Sequence, residues 1–196
     1  MKRLPYIFVA IVLMTLSTAC DRFWKKPLVI YDTICTDTII SEADLALYGT
    51  IGAKSDHRTL YLHTYDDTLV FTLDNPVILG QYTIGDRVAV LPTGSGTASR
   101  VVDITTLMAH WEMSDSSGVV RAFSLEADGQ IVAMSGDSRH YHSWELVNTR
   151  LAISYNSDKT SHDTIADTLP ILKLTTDSLV LERKESRIGF RRRGQE

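Results

Sequence analysis

From residue 45 onward the chain is written in short alternating runs, and no stretch carries the 3.6-residue period of an amphipathic helix. Residues 47–51, 59–63, 68–73, 87–91 and 100–104 form a first series, separated by turn-forming clusters such as Lys54-Ser55-Asp56, Asp74-Asn75-Pro76 and Ile84-Gly85-Asp86. A second series follows at 108–114, 119–126, 130–134, 139–148, 151–155, 164–167, 171–175, 179–182 and 188–191. Its turns are equally marked, at Asp115-Ser116-Ser117-Gly118, Ala127-Asp128-Gly129 and Thr176-Asp177-Ser178. Strands this short and this numerous predict an all-β protein whose antiparallel meanders close into barrels, because closure removes unpaired edges.

Two units are expected. Residues 45–104 read as a small β-barrel in which Asp66-Asp67 joins a hairpin, and the nearly all-apolar stretch after Gly85-Asp86 is a central strand. Five strands with a Pro and Gly connection before the fourth resemble an OB-type barrel by pattern. Residues 105–196 read as a second antiparallel barrel.

The first twenty residues carry no strand pattern and speak to location. Lys2 and Arg3 precede an apolar run from Leu4 to Leu16, and Ser17-Thr18-Ala19 lead into Cys20. Thirteen helical residues reach only about 20 Å, short of the ~30 Å hydrocarbon layer, so the segment reads as a cleaved signal, residues 1–19, not a membrane span. Small residues directly before a cysteine resemble the signals of bacterial lipoproteins, although Ser17 stands where a large aliphatic residue is commonest. That resemblance implies a diacylglyceryl group on the Cys20 sulfur, an acylated amine, and anchoring by acyl chains. Ordinary cleavage, with Cys20 free or bridged to Cys35, is the competing reading. Residues 20–44, with Pro27 and scattered Thr and Asp, read as a tether.

Charge narrows the partners. The formal net charge is −4, and loss of Lys2 and Arg3 with the signal takes it to −6, which argues against nucleic acid. A bacterial cell-envelope location is expected, at the outer membrane and facing the periplasm, since no acidic cluster follows Cys20. Arg183, Lys184, Arg187, Arg191, Arg192 and Arg193 form a basic end that suits anionic headgroups or simply protects a strand edge.

Leu107-Met108-Ala109-His110-Trp111, Phe123-Ser124-Leu125-Glu126-Ala127-Asp128-Gly129, Ser143-Trp144-Glu145-Leu146 and Leu151-Ala152-Ile153 together resemble the lipocalin-like domains of Bacteroidetes lipoproteins. The likeness covers residues 105–193 and departs from the lipocalin pattern at Ala109, where glycine is typical. It implies a short up-and-down barrel whose interior holds an apolar ligand, and it implies no enzyme.

Strand parity suggests how such an interior is lined. His140, His142, Trp144 and Leu146 fall on one face of their strand, and Arg121, Phe123 and Leu125 on one face of theirs. With Trp144 and Leu146 inward, His140, His142 and Arg121 gather at a mouth above Trp111, Phe123 and Trp144, a setting for an acidic-headed amphipathic ligand. A β-bulge near Ser143 reverses that placement. Both tryptophans also suit a filled core, as expected of a short barrel.

Other chemistry is thinly represented. His140 and His142 have the spacing for two nitrogen ligands, which Asp137 or His110 could complete, but the pair has no assured third ligand, so no metal or other cofactor is expected. No serine sits in a nucleophile-elbow pattern, and the carboxylates occupy turns, so no enzymatic activity is expected. The sequence therefore points to a lipid-anchored binding module for a small apolar or amphipathic molecule. The alternative is an interaction component of the envelope with filled barrels. A cavity of roughly 300 Å³ or more favours the first, and a contiguous exposed apolar patch the second.

Overall fold

The computed structural model describes residues 44–94, 96–114, 118, 120–135, 140–156 and 164–194, and the signal, Cys20, the tether through residue 43, Cys35 and Asp137 lie outside them. Six strands open the fold: β1 (Leu47–Ile51), β2 (Thr59–His63), β3 (Thr68–Thr72), β4 (Val77–Leu79), β5 (Arg87–Thr93) and β6 (Thr97–Asp103). β1 pairs antiparallel with both β2 and β5, β2 pairs with β3, and β5 with β6. β3 then meets β6 in parallel at Thr72 and Thr97, which closes a five-strand circuit in the order of an OB-type barrel. The short β4 lies parallel along the remainder of β6, from Arg100 to Val102. Alternation explains the interior: Leu60 and Leu62, Val88 and Val90, Ile51, Phe71 and Val101 turn inward and form one buried cluster.

A four-residue helix, α1 (Ile104–Leu107), leads out of β6. It is too short to write a period into the sequence and depends on its cap. The buried Asp103 carboxylate accepts the Thr106 amide at 3.0 Å, the Gln81 amide at 3.1 Å, and the Thr106 hydroxyl. Gly80 makes this possible. Its φ is +107°, and a Cβ there would stand 2.3 Å from the Asp103 Cβ.

Nine strands follow: β7 (His110–Ser114), β8 (Val120–Leu125), β9 (Ile131–Ser135), β10 (His140–Val147), β11 (Arg150–Asn156), β12 (Thr164–Leu169), β13 (Ile171–Leu174), β14 (Ser178–Arg183) and β15 (Ser186–Arg192). Each runs antiparallel to its neighbour, with two seams. Between β9 and β10 the described residues form one ladder bridge, Gln130 to Ser143, beside the Trp144 amide donating to the Gly129 carbonyl at 2.7 Å. Between β12 and β13 stands only Pro170. β12 pairs with β11 and β13 with β14, so one bent strand serves two sheets, and Pro170, which has no N–H to give, still accepts from the Glu182 amide at 3.0 Å. β15 returns to β7 at Arg191 with Glu112 and Arg192 with Trp111. Counting β12 and β13 as one, eight strand positions surround an interior.

The second core does not stop at that barrel. Leu79, Ala89 and Val102 from the first strand series share a buried cluster with Leu107, Trp111, Leu125, Leu151 and Leu181. Polar ties run alongside it. The Tyr48 hydroxyl lies 2.6 Å from both the Asp44 carboxylate and the Leu146 carbonyl and shares its proton between them. Burial, and then the Asp44 carboxylate, hold that phenol far above its ordinary pKa. The Leu45 amide donates to Asn148 Oδ1 at 2.7 Å, and the Gly80 amide to the Leu174 carbonyl at 3.0 Å.

Candidate functional site

The site is set by an irregularity in β10. Tyr141 stands opposite Tyr155, but the next pair is Ser143 with Ser154, so His142 is an extra residue in the ladder. Strict alternation would place His140 and His142 on the side of Trp144. The bulge instead leaves Tyr141, Trp144 and Leu146 inward and turns both histidines out, where they are exposed. The expected mouth of His140 and His142 above the tryptophans is corrected accordingly. The two imidazoles meet each other on the outer wall, ring centroids 5.0 Å apart, and His142 Nε2 lies 2.8 Å from Asn156 Oδ1.

The tryptophans are core. Trp111 has no exposed surface, and its indole N–H donates to the Leu107 carbonyl at 2.9 Å. Trp144 is similarly buried, its N–H donating to the Glu126 carbonyl at 3.0 Å. Both polar handles are thus satisfied by backbone. Neither ring borders the cavity of the second barrel.

That cavity measures about 100 Å³. Phe123 and Phe190 meet edge to face in its wall, centroids 5.1 Å apart, and Tyr141 and Tyr155 form a tilted pair at 5.9 Å. Aliphatic groups of Met113, Ile153, Leu181 and Ile188 complete an apolar lining. Two arginines border it. Arg183 donates to Asp167 Oδ2 at 2.8 Å, and the Tyr155 hydroxyl donates to the same oxygen at 3.1 Å, so that cation is neutralised in place. Arg121 is exposed and has no ion pair among the described residues. Of the six expected ligand contacts, the structure brings Arg121 and Phe123 to the cavity, keeps Trp111 and Trp144 in the core, and puts His140 and His142 outside.

Tyr141, Tyr155, Asp167 and Phe190 border the cavity without having been singled out in the sequence, and Arg183, read there only as part of the basic end, joins them. Parity along β11, where Leu151, Ile153 and Tyr155 are buried, and along β15 would have found Tyr155 and Phe190. A second, polar groove of about 250 Å³ lies against His110, Ser124, Glu126, Arg192 and Arg193, with the Ser124 hydroxyl donating to Glu126. Among the described residues no group of three or more His, Cys, Asp or Glu is placed to hold a metal ion.

Residues 103–193 match the profile of a family described as lipocalin-like. Among solved structures, a lipocalin-like protein from Bacteroides thetaiotaomicron is similar, with 24% identity, a TM-score of 0.40, and coverage of 45% of this chain and 97% of that one. No curated protein matches. The family profile spans β7 to β15, the strands that enclose the cavity, so the similarity to lipocalin-like proteins lies in the second barrel.

Proposed function

We propose that this protein is a lipid-anchored component of the bacterial cell envelope whose lipocalin-like domain binds, without catalysis, the apolar end of a small anionic amphiphile. One observation carries the reading: an apolar cavity bordered by one arginine that Asp167 neutralises and one, Arg121, with no ion pair among the described residues. At about 100 Å³ the cavity has room for roughly three or four groups the size of a water molecule, at ~30 Å³ each. It is smaller than the 300 Å³ that a whole drug-sized ligand would need. What fits is a chain end of about four carbons or one small ring, with the head outside beside Arg121. An anionic head finds there a cation that no carboxylate among the described residues has claimed.

Anchoring rests on Cys20 and the residues before it, with the tether carrying the barrels away from an outer membrane they face from the periplasm. The filled positions of Trp111 and Trp144 favour a second reading, in which the barrel is mainly a scaffold for another envelope protein. Mass spectrometry of the protein purified from its own host separates these. The denatured chain is expected to begin at an acylated Cys20, and the native chain to carry an additional small-molecule mass. An unmodified Cys20 would overturn the anchoring. A bare polypeptide, found repeatedly under gentle conditions, would overturn ligand binding in favour of the scaffold.

A further inference from the structure

The bulge in β10 has a chemical consequence on the outer wall. By adding one residue between Tyr141 and Ser143 it turns His140 and His142, which share a face, outward together, with ring centroids 5.0 Å apart and planes at 89°. Imidazoles bind first-row divalent metals at about 2.0–2.1 Å through one nitrogen, which puts each ring centroid about 3.2 Å from the ion. Two adjacent imidazoles on one ion then have centroids about 4.5 Å apart at a right angle and about 5.2 Å apart at the tetrahedral angle. The observed spacing falls inside that interval.

The second observation concerns protons. His142 Nε2 faces Asn156 Oδ1 at 2.8 Å, and the Thr164 hydroxyl donates to the same oxygen at 3.3 Å. A carbonyl oxygen only accepts, so the ring proton sits on Nε2 and the lone pair of Nδ1 is left for a ligand. A hydrogen bond from the far ring nitrogen is the arrangement that orients metal-binding imidazoles. His140 is exposed beside it and brings a second nitrogen donor.

We propose that His140 and His142 form a two-nitrogen site for a divalent transition metal, with Asn156 as its positioning residue. Nitrogen ligands favour Cu²⁺ over Ni²⁺ and Zn²⁺, so Cu²⁺ is the ion held most tightly. Among the described residues no third His, Cys, Asp or Glu joins the pair. The site lies on the face of β10 opposite Tyr141 and the cavity, so it does not depend on the ligand proposed above.

The test uses the full chain, untagged, with Cys20→Ser and Cys35→Ser so that no thiol competes. Titration with CuCl₂ in a non-coordinating buffer, followed by calorimetry and electron paramagnetic resonance, should show one ion per chain with nitrogen coupling. His140→Ala and His142→Ala should each weaken binding about tenfold or more, and Asn156→Ala about tenfold. A His57→Ala/His63→Ala variant should bind as the parent does. Absence of binding, or unchanged affinity in the His140→Ala/His142→Ala variant, would overturn the proposal. The two rings are exposed, so matching circular dichroism spectra are expected to show that the variants remain folded.

Discussion

Arg121 and Arg183 border the same cavity, and Asp167 neutralises only one of them. That difference sets the sign of two substitutions. If the head of a short amphiphile is anionic, Arg121→Gln removes a charged hydrogen bond of about 1.5–3 kcal/mol, equivalent to tenfold or more in affinity. Asp167→Asn acts in the opposite direction, because it frees Arg183 beside the same apolar wall. NMR shift titrations with hexanoate, 1-hexanol and hexylammonium should rank them in that order. Hexanoate should bind more weakly to Arg121→Gln and more tightly to Asp167→Asn. Equal binding of all three compounds, unaltered by either variant, would remove the headgroup from the proposal. Arg121 was legible in the sequence because its strand alternates without interruption up to Phe123. Arg183 was not: it stands in a basic run, and only the fold reveals that Asp167 lies 2.8 Å away.

At the scale of elements, the bulge in β10 decides which side chains meet the cavity. Tyr141 and Trp144 both point inward although three positions separate them, with His142 and Ser143 both outward. Removing His142 should therefore restore plain alternation while leaving every inward residue inward. Removing Glu145 should instead carry Leu146 from the core to the surface, against the register of Leu151 and Ile153 on β11. Thermal unfolding of the two deletion variants is the check: the His142 deletion should stay folded with a modestly lower Tm, and the Glu145 deletion should not fold. A folded Glu145 deletion would mean that the register of β10 is set elsewhere. The same element shows where sequence reading ends. Most strands lie within a few residues of their expected positions, because turn clusters and alternating polarity are both local signals. The bulge has no such signal. No glycine marks it, and His140-Tyr141-His142-Ser143 is polar enough on either face to fit both registers. The three-residue β4 and the four-residue α1 escaped for a simpler reason, being shorter than any period that could announce them.

For the whole molecule, the question is whether the two barrels unfold together. The strand patterns suggest separate units, yet Leu79, Ala89 and Val102 belong to the buried cluster that includes Trp111 and Leu181. Gly80 donates to Leu174 at 3.0 Å next to that cluster, and Tyr48 reaches the Leu146 carbonyl at 2.6 Å. An apolar seam with hydrogen bonds at its rim couples the stability of its two sides, since neither can open without exposing the other. In a Trp24→Phe background the remaining indoles, Trp111 and Trp144, report on the second barrel alone, whereas far-UV circular dichroism reports on both. The two denaturation curves should coincide. Leu79→Ala, placed in β4 of the first barrel, should lower both midpoints by the same amount, a loss of roughly 2–5 kcal/mol. Two resolved transitions, with the indole signal indifferent to Leu79→Ala, would make the barrels thermodynamically independent. A coincident shift would mean that the second barrel depends on the strands before it, and that residues 103–193 expressed alone would lack part of their own core.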